Sequence, residues 1–256
     1  MHSFYLPRPS GLHNLYPLTK LALAAGPVAA GFAARGPEVP IALFLGVVLP
    51  LAAWGRIAGS LLRVLAFILF PYFLSVLLVQ GLFFPGATRV IVSLGPLALK
   101  EEGLVFAVGT ASRILLLAGA GLLLLFSTHP ADLALALRER GMPGALAYIV
   151  VTAIQLIPQT QARASAIVDA QRARGLETEG QLLTRIRALI PLLGPLILGA
   201  LAEVDERAMA LDARAFSAPG IKTSYKELPD TRLQVWTRRL VAAATILAVG
   251  VQLWPR

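Results

Sequence analysis

From Val64 to Phe84 the chain runs without one charged residue, and from Gly103 to Phe126 it does so again with only Arg113 interrupting. Crossing roughly 30 Å of hydrocarbon takes about 20 predominantly apolar residues, so both runs can span a bilayer as helices. Similar apolar runs occupy 21–34, 39–54 and 235–254. The first two of these are short and carry Gly26-Pro27 and Pro50, so their ends need flanking residues or burial against neighbouring helices. The pattern specifies an all-α integral membrane protein of about five transmembrane helices.

Composition supports the same solvent. Hydrophobic residues make up 57% of the chain and charged ones 14%, with a mean hydropathy of +0.72, more than filling a water-soluble core requires. Long apolar runs leave no room in 256 residues for a separate soluble domain. Without cysteine there is no disulfide framework, thiolate metal site or cysteine nucleophile. The first twenty residues contain Pro7, Pro9 and Pro17 and no apolar core with a small-residue cleavage site, so no secretory signal is expected. The net charge of +9 is the topological excess of Lys and Arg in cytoplasmic loops, and no nucleic-acid partner is expected.

An inside N-terminus puts Arg8, Lys20, Arg56, Arg63, Arg138, Arg140, ten basic residues from Arg163 to Arg232, Arg238 and Arg239 in the cytoplasm. Only Arg35, Arg89, Lys100 and Arg256 remain outside. That bias predicts a cytoplasmic N-terminus and an outer C-terminus. Two further apolar stretches, 144–158 and 186–201, contain Pro158, Pro191 and Pro195. If both spanned, Arg163, Arg172, Arg174, Arg185 and Arg187 would face outside, so these stretches are expected along the inner face.

Between Gln159 and Arg232 the chain turns charged, with ten Lys or Arg against nine Asp or Glu. Two amphipathic helices are expected there. One, about 159–174, aligns Ala162, Ala166 and Ala170 in a row; the other, about 196–214, aligns Val204, Ala208 and Leu211. Small-residue ridges predict a tight crossing of the two. Each helix closes on the same chemistry, Ala173-Arg174-Gly175 in the first and Ala213-Arg214-Ala215 in the second. A basic residue in the last turn and a glycine just past it suit a helix stop. Two copies favour a further role, because a guanidinium held at a rigid helix end forks onto a partner's carboxylate as lysine cannot.

With these signatures the sequence closely resembles, over nearly its whole length, the T component of energy-coupling factor (ECF) transporters. The opening Leu12-His13-Asn14-Leu15-Tyr16-Pro17-Leu18-Thr19-Lys20 looks like that family's start. Leu94-Gly95-Pro96-Leu97 and Glu102-Gly103-Leu104 resemble its outer segment, and Ser127 to Leu133 with Gly141-Met142-Pro143 the approach to its coupling domain. The resemblance implies a non-catalytic subunit of a vitamin- or metal-importing ABC transporter, without cofactor, in a prokaryotic cell membrane. Its partners would be two ABC-type ATPase subunits and one small membrane S component. It also implies a domain plan: residues 1–128 as a membrane domain of four spans, 129–234 as a cytoplasmic coupling domain, and 235–256 as the last transmembrane helix. In the family the Ala-Arg-Gly signatures dock in grooves of the ATPases, a role that passes to Arg174 and Arg214. Ala215 stands where the family has glycine, which predicts a helix that ends less sharply or runs on a turn.

Arg113 sits near the middle of an apolar run, where a charge costs roughly 2.5–3.5 kcal/mol, so it must face protein or a polar cavity. It is either functional or paired structurally with Ser112, Thr110 or Gln80. His2, His13 and His129 are scattered through the expected cytoplasmic ends, so no metal site is expected. Glu203, Asp205, Glu206 and Asp212 open a second reading, a membrane enzyme acting on lipid or isoprenoid substrates with carboxylate-bound Mg²⁺. Arg207 and Arg214 lie among them, which favours a solvated face or internal ion pairs. There is no phosphate-cradling Gly-x-x-x-x-Gly-Lys-Ser/Thr, so energy must come from a partner.

Overall fold

The computed structural model describes residues 6, 8–85, 89–94, 97–175, 182–216, 218, 226 and 228–253. His2, the Gly95-Pro96 pair, Leu176, Glu177, Glu179, Lys222, Glu227 and the end from Trp254 lie outside the described residues. The chain divides into two compact units, one of Gly144–Glu227 and one of His2–Pro143 with Leu228–Arg256.

In the second unit, α1 (Pro17–Ala33) leads through α2 (Glu38–Leu43), a π-helical turn (Phe44–Val48) and α3 (Leu49–Trp54) to α4 (Ala58–Phe83). A short antiparallel hairpin, β1 (Val90–Leu94) with β2 (Leu97–Lys100), precedes α5 (Glu101–Ser127), and α6 (Pro130–Glu139) and α9 (Arg232–Leu253) complete the unit. The other unit is built on α7 (Gly144–Ala173) and α8 (Leu182–Ala213). The protein is an all-α membrane protein, and the hairpin is its only β structure among the described residues.

Among the described residues three helices are long and apolar enough to cross a membrane, namely α4, α5 and α7, while 17–33 and 38–54 are shorter apolar helices. The expected spans at 64–84 and 103–126 therefore coincide with α4 and α5. The stretch 144–158, expected as a separate surface segment, is instead the first half of the continuous 30-residue α7. Likewise 186–201 lies within the 32-residue α8, whose interior contains Pro191 and Pro195. Both helices continue through their prolines, each of which removes one bond to the carbonyl four residues back. At Pro50 the same deficit is absorbed by the π turn, where the Leu49 N–H bonds back to the Phe44 carbonyl.

α5 is the central element, packed on α1, α4 and the π turn. Its buried Leu116, Ala120 and Leu123 join Phe44, Val48, Ala52, Leu61 and Leu65 in one core. The outer side of α4 is apolar and exposed, with Phe67 at 84% and Phe70 at 67%, as a lipid-facing surface should be. Glycines sit where helices cross. Added Cβ atoms at Gly26, Gly31 and Gly119 would meet side chains of α9, α5 and the π turn respectively. Because bilayer tails are as apolar as leucine, such close backbone approach is what binds membrane helices together.

α1 and α5 run antiparallel and cap one another. The buried Lys20 of α1 donates from Nζ to the carbonyls of Ser127, at the end of α5, and His13, at 2.8 and 2.9 Å. At the far end Arg113 of α5 donates from Nη2 to the carbonyls of Ala34 at 2.7 Å and Arg35 at 3.4 Å, where α1 ends. Arg113 thus has a structural partner, and it is the end of α1 rather than Ser112, Thr110 or Gln80. Ser112 bonds the Gly109 carbonyl on its own helix.

Two measurements test this packing. A Cβ at Gly103 would collide with the Gln80 backbone carbonyl of α4, so Gly103→Ala is expected to cost about 1–3 kcal/mol and lower the thermal midpoint in detergent. His13 bonds the Leu6 carbonyl through Nε2 at 2.9 Å and Ser10 Oγ through Nδ1 at 2.6 Å. Burial, aided by the Lys20 charge, holds its pKa below the ordinary 6.5. The folded protein then binds fewer protons than the unfolded chain in that window, so stability is full above pH 6.5 and declines as pH falls toward the lower folded value. His13→Gln should flatten the pH profile of unfolding between about 5 and 7.

Candidate functional site

The unit built on α7 and α8 carries most of the residues singled out in the sequence. The two helices pack on each other, but not on the small-residue rows. Ala162, Ala166 and Ala170 on α7 and Val204 and Ala208 on α8 are exposed, and only Leu211 is partly covered. Charged side chains bridge the two helices instead. Arg163 Nη2 donates to Glu203 Oε2 at 2.8 Å, and Arg207 grips Glu203 Oε1 through both Nε, at 3.0 Å, and Nη2. Arg207 Nη2 also reaches Gln159 Oε1 at 2.9 Å. The Arg207 hydrogen bond, with Arg163 beside it, holds the Glu203 carboxyl below its usual range. A row of alanines forms a ridge on any helix, but two guanidinium groups sharing one carboxylate select the face that turns inward.

These pairings make α7 and α8 antiparallel. Tyr148, in the first turns of α7, meets Phe216, just past α8, with ring centroids 5.4 Å apart. The two Ala-Arg signatures therefore lie at opposite ends of the helix pair. Arg174 is 26 positions along α7 from Tyr148, a separation of about 39 Å along a straight helix.

Both ends stop in the same way. At α7 the Arg174 and Gly175 N–H groups bond the Gln171 and Arg172 carbonyls at 3.0 and 2.9 Å, and Gly175 takes φ +88°. At α8 the Ala215 N–H bonds the Asp212 carbonyl at 2.9 Å, the Phe216 N–H bonds Leu211 at 3.0 Å, and Ala215 takes φ +54°. α8 thus ends as sharply as α7 and does not run on a turn. Alanine is forced into the left-handed region that glycine occupies freely, and the Phe216 contact with Tyr148 helps hold it there. Ala173, Ala213, Arg174 and Arg214 are exposed, and among the described residues no carboxylate pairs with either guanidinium.

The neighbouring acidic residues divide. Glu203 has each oxygen engaged by an arginine, whereas Asp205, Glu206 and Asp212 are exposed. Arg113, in the other unit, lines a cleft of about 450 Å³ with Arg35, Arg89, Glu101, Glu102 and Phe106. The i,i+4 spacing of Glu203 and Arg207 made their pair legible in sequence. Nothing in the sequence pointed to Arg163, whose partner is forty positions away.

The sequence profile of the cobalt transport protein (CbiQ) family matches residues 9–225, taking in both helix ends. The chain belongs to this family. It is 29% identical over 237 residues to the energy-coupling factor transporter transmembrane protein EcfT of Lacticaseibacillus paracasei, with 88% of each chain covered. To the EcfT of Heliobacterium modesticaldum it is 31% identical over 241 residues, covering 88% of this chain and 86% of that one. A protein of Bifidobacterium longum described as an ABC transporter ATP-binding protein is 32% identical over 251 residues. That match takes in 94% of this chain and 31% of the relative, so the chain spans about a third of its length. As a member of the CbiQ family and a T component of the ECF class, the chain is a multi-pass membrane subunit of a transporter.

Relieving the left-handed alanine is the direct test of this geometry. An alanine in that region costs roughly 1–2 kcal/mol, so Ala215→Gly is expected to raise stability by about 1 kcal/mol. A higher thermal midpoint of the purified protein is the expected reading, and a lower one would mean that α8 does not stop at Ala213.

Proposed function

We propose that this chain is the coupling subunit of an ECF-type importer, held in a prokaryotic cell membrane with its N-terminus and the 144–227 unit in the cytoplasm. Two ABC-type ATPase subunits dock at the ends of α7 and α8, through Arg174 and Arg214. Their ATP-driven closure is passed to one small membrane S component that binds the micronutrient, a vitamin or a metal ion.

The observation that carries this reading is the pair of exposed arginines at two like-built helix ends, which the length of α7 sets on the order of 40 Å apart. That span is too wide for one groove and suits two separate partners. An arginine on a rigid stop, with no carboxylate paired to it among the described residues, is ready for a bidentate bond to a partner's acid. The Bifidobacterium relative supports the same partnership, because a protein described as ATP-binding contains a stretch resembling nearly all of this chain. The positive charge excess on the proposed inner side supports the orientation.

The chain itself performs no ATP hydrolysis in this reading. Nor does its acidic cluster suit a magnesium-dependent lipid enzyme, because Glu203 faces two guanidinium groups that a dication would have to displace.

Truncating one member of a buried charge pair costs about 2–5 kcal/mol, roughly 30- to several-thousand-fold in affinity. Arg174→Ala and Arg214→Ala are therefore each expected to weaken copurification of the ATPases and abolish ATP-driven uptake in vesicles, while the protein still inserts. Arg→Lys at either position keeps the charge but loses the fork and is expected to fall between. If the double alanine variant assembles and transports like the parent, the anchor assignment is wrong.

A further inference from the structure

The chain departs from the membrane unit after Pro143 and returns at Leu228. Neither connection has regular secondary structure, since 140–143 and 228–231 lie between helices. Both are nevertheless held by one carboxylate. Asp230 Oδ2 accepts from Arg140 Nη2 at 2.9 Å, on the departing side. Both Asp230 oxygens also accept from Arg238 of α9, at 3.0 and 2.7 Å, on the returning side.

The knot extends into α1. Arg238 donates from Nη1 to Thr19 Oγ1 at 3.0 Å and stacks over the Tyr16 ring, 5.2 Å from its centroid. Tyr16 donates its hydroxyl to Glu139 at 2.6 Å, and its N–H to Gln234 Oε1 at 2.7 Å. Asp230 and Arg238 side chains are only 22% and 15% exposed. An isolated surface ion pair holds little, but a forked arginine shared by a carboxylate, a hydroxyl and an aromatic face has one geometry. The Arg238 hydrogen bond, reinforced by Arg140, keeps the Asp230 carboxyl below its usual range, so it is ionised at neutral pH.

We infer that Asp230 is a positioning residue for energy coupling: it ties the outgoing and returning connections of the 144–227 unit to each other and to α1, so that movement delivered to that unit reaches the membrane helices rather than dissipating in two loose segments. The inference rests on the coupling-subunit reading. Asp230 is not part of the docking ends, so its loss should separate ATP hydrolysis from transport without releasing the ATPases.

The absence of cysteine from the chain allows a direct test. The double variant Arg140→Cys/Asp230→Cys is assembled with the ATPases and the S component in vesicles, with and without a short bismaleimide joining the new thiols. Unlinked, it should keep the ATPases bound and hydrolyse ATP within about twofold of the parent, while uptake per ATP falls about tenfold or more. Linking should restore uptake per ATP, and the two single-cysteine variants given the same reagent should remain uncoupled. Three results overturn the inference: unlinked uptake per ATP equal to the parent's, linked protein that stays uncoupled, or loss of ATPases from the unlinked variant, which would mark a folding contact. A parent complex without ATP-driven uptake would instead defeat the coupling-subunit reading itself.

Discussion

The reciprocal capping of α1 and α5 is the constraint on which the membrane unit depends. A helix that ends near hydrocarbon leaves carbonyls with no water to satisfy them, and each such group costs several kcal/mol. Here each helix sends a cation to the other's C-terminus, Lys20 to Ser127 and Arg113 to Ala34. The negative ends of both dipoles are thereby neutralised. The two contacts also fix the antiparallel register, since sliding either helix by one turn would orphan both cations. With the register set, Gly31 comes against Leu116, and Gly119 against Phe44. α4, the π turn and α9 then pack on a pair that is already locked.

The same economy of polar groups organises the other unit in a different way. Among the residues whose burial is described, α7 and α8 have few buried apolar side chains, and the pair is bridged by Glu203 held between Arg163 and Arg207, with Tyr148 and Phe216 closing one end. A seam of this kind leaves the long apolar and alanine faces of both helices exposed in the isolated chain. It also sends the two helix ends in opposite directions, as the proposed docking of two ATPase subunits requires. The two connections of this unit end on Asp230, where the membrane unit's polar network gathers α1, α6 and α9.

Much of this was legible residue by residue. The Ala-Arg signatures marked the helix ends correctly, because a stop is a local event set by the last turn and the residue after it. Ala215 could not be read the same way: its left-handed conformation is strained on its own, and it is held by the hydrogen bonds of the closing turn and the Phe216 contact with Tyr148, sixty-eight positions away. The alanine rows at 162–170 illustrate the limit of periodicity. A repeat of four reveals which residues share a face, but says nothing of which face meets a neighbour when a better electrostatic partner lies on another.

The sequence by itself determined that this chain spans a membrane, where most of its helices lie, and that two arginine-bearing ends close the charged block, because hydropathy, length and helix stops act over tens of residues at most. The tertiary structure alone decided what the buried cations do. Lys20 read as one of the cytoplasmic basic residues, and Arg113 as a charge in an apolar run with its partner open, until α1 and α5 were set side by side. Asp230 read as one acid in a charged block until Arg140 and Arg238 closed on it from either side of a chain excursion of some ninety residues. Such pairings join groups that are distant in the chain, and only folding brings them within the few ångströms over which a hydrogen bond acts.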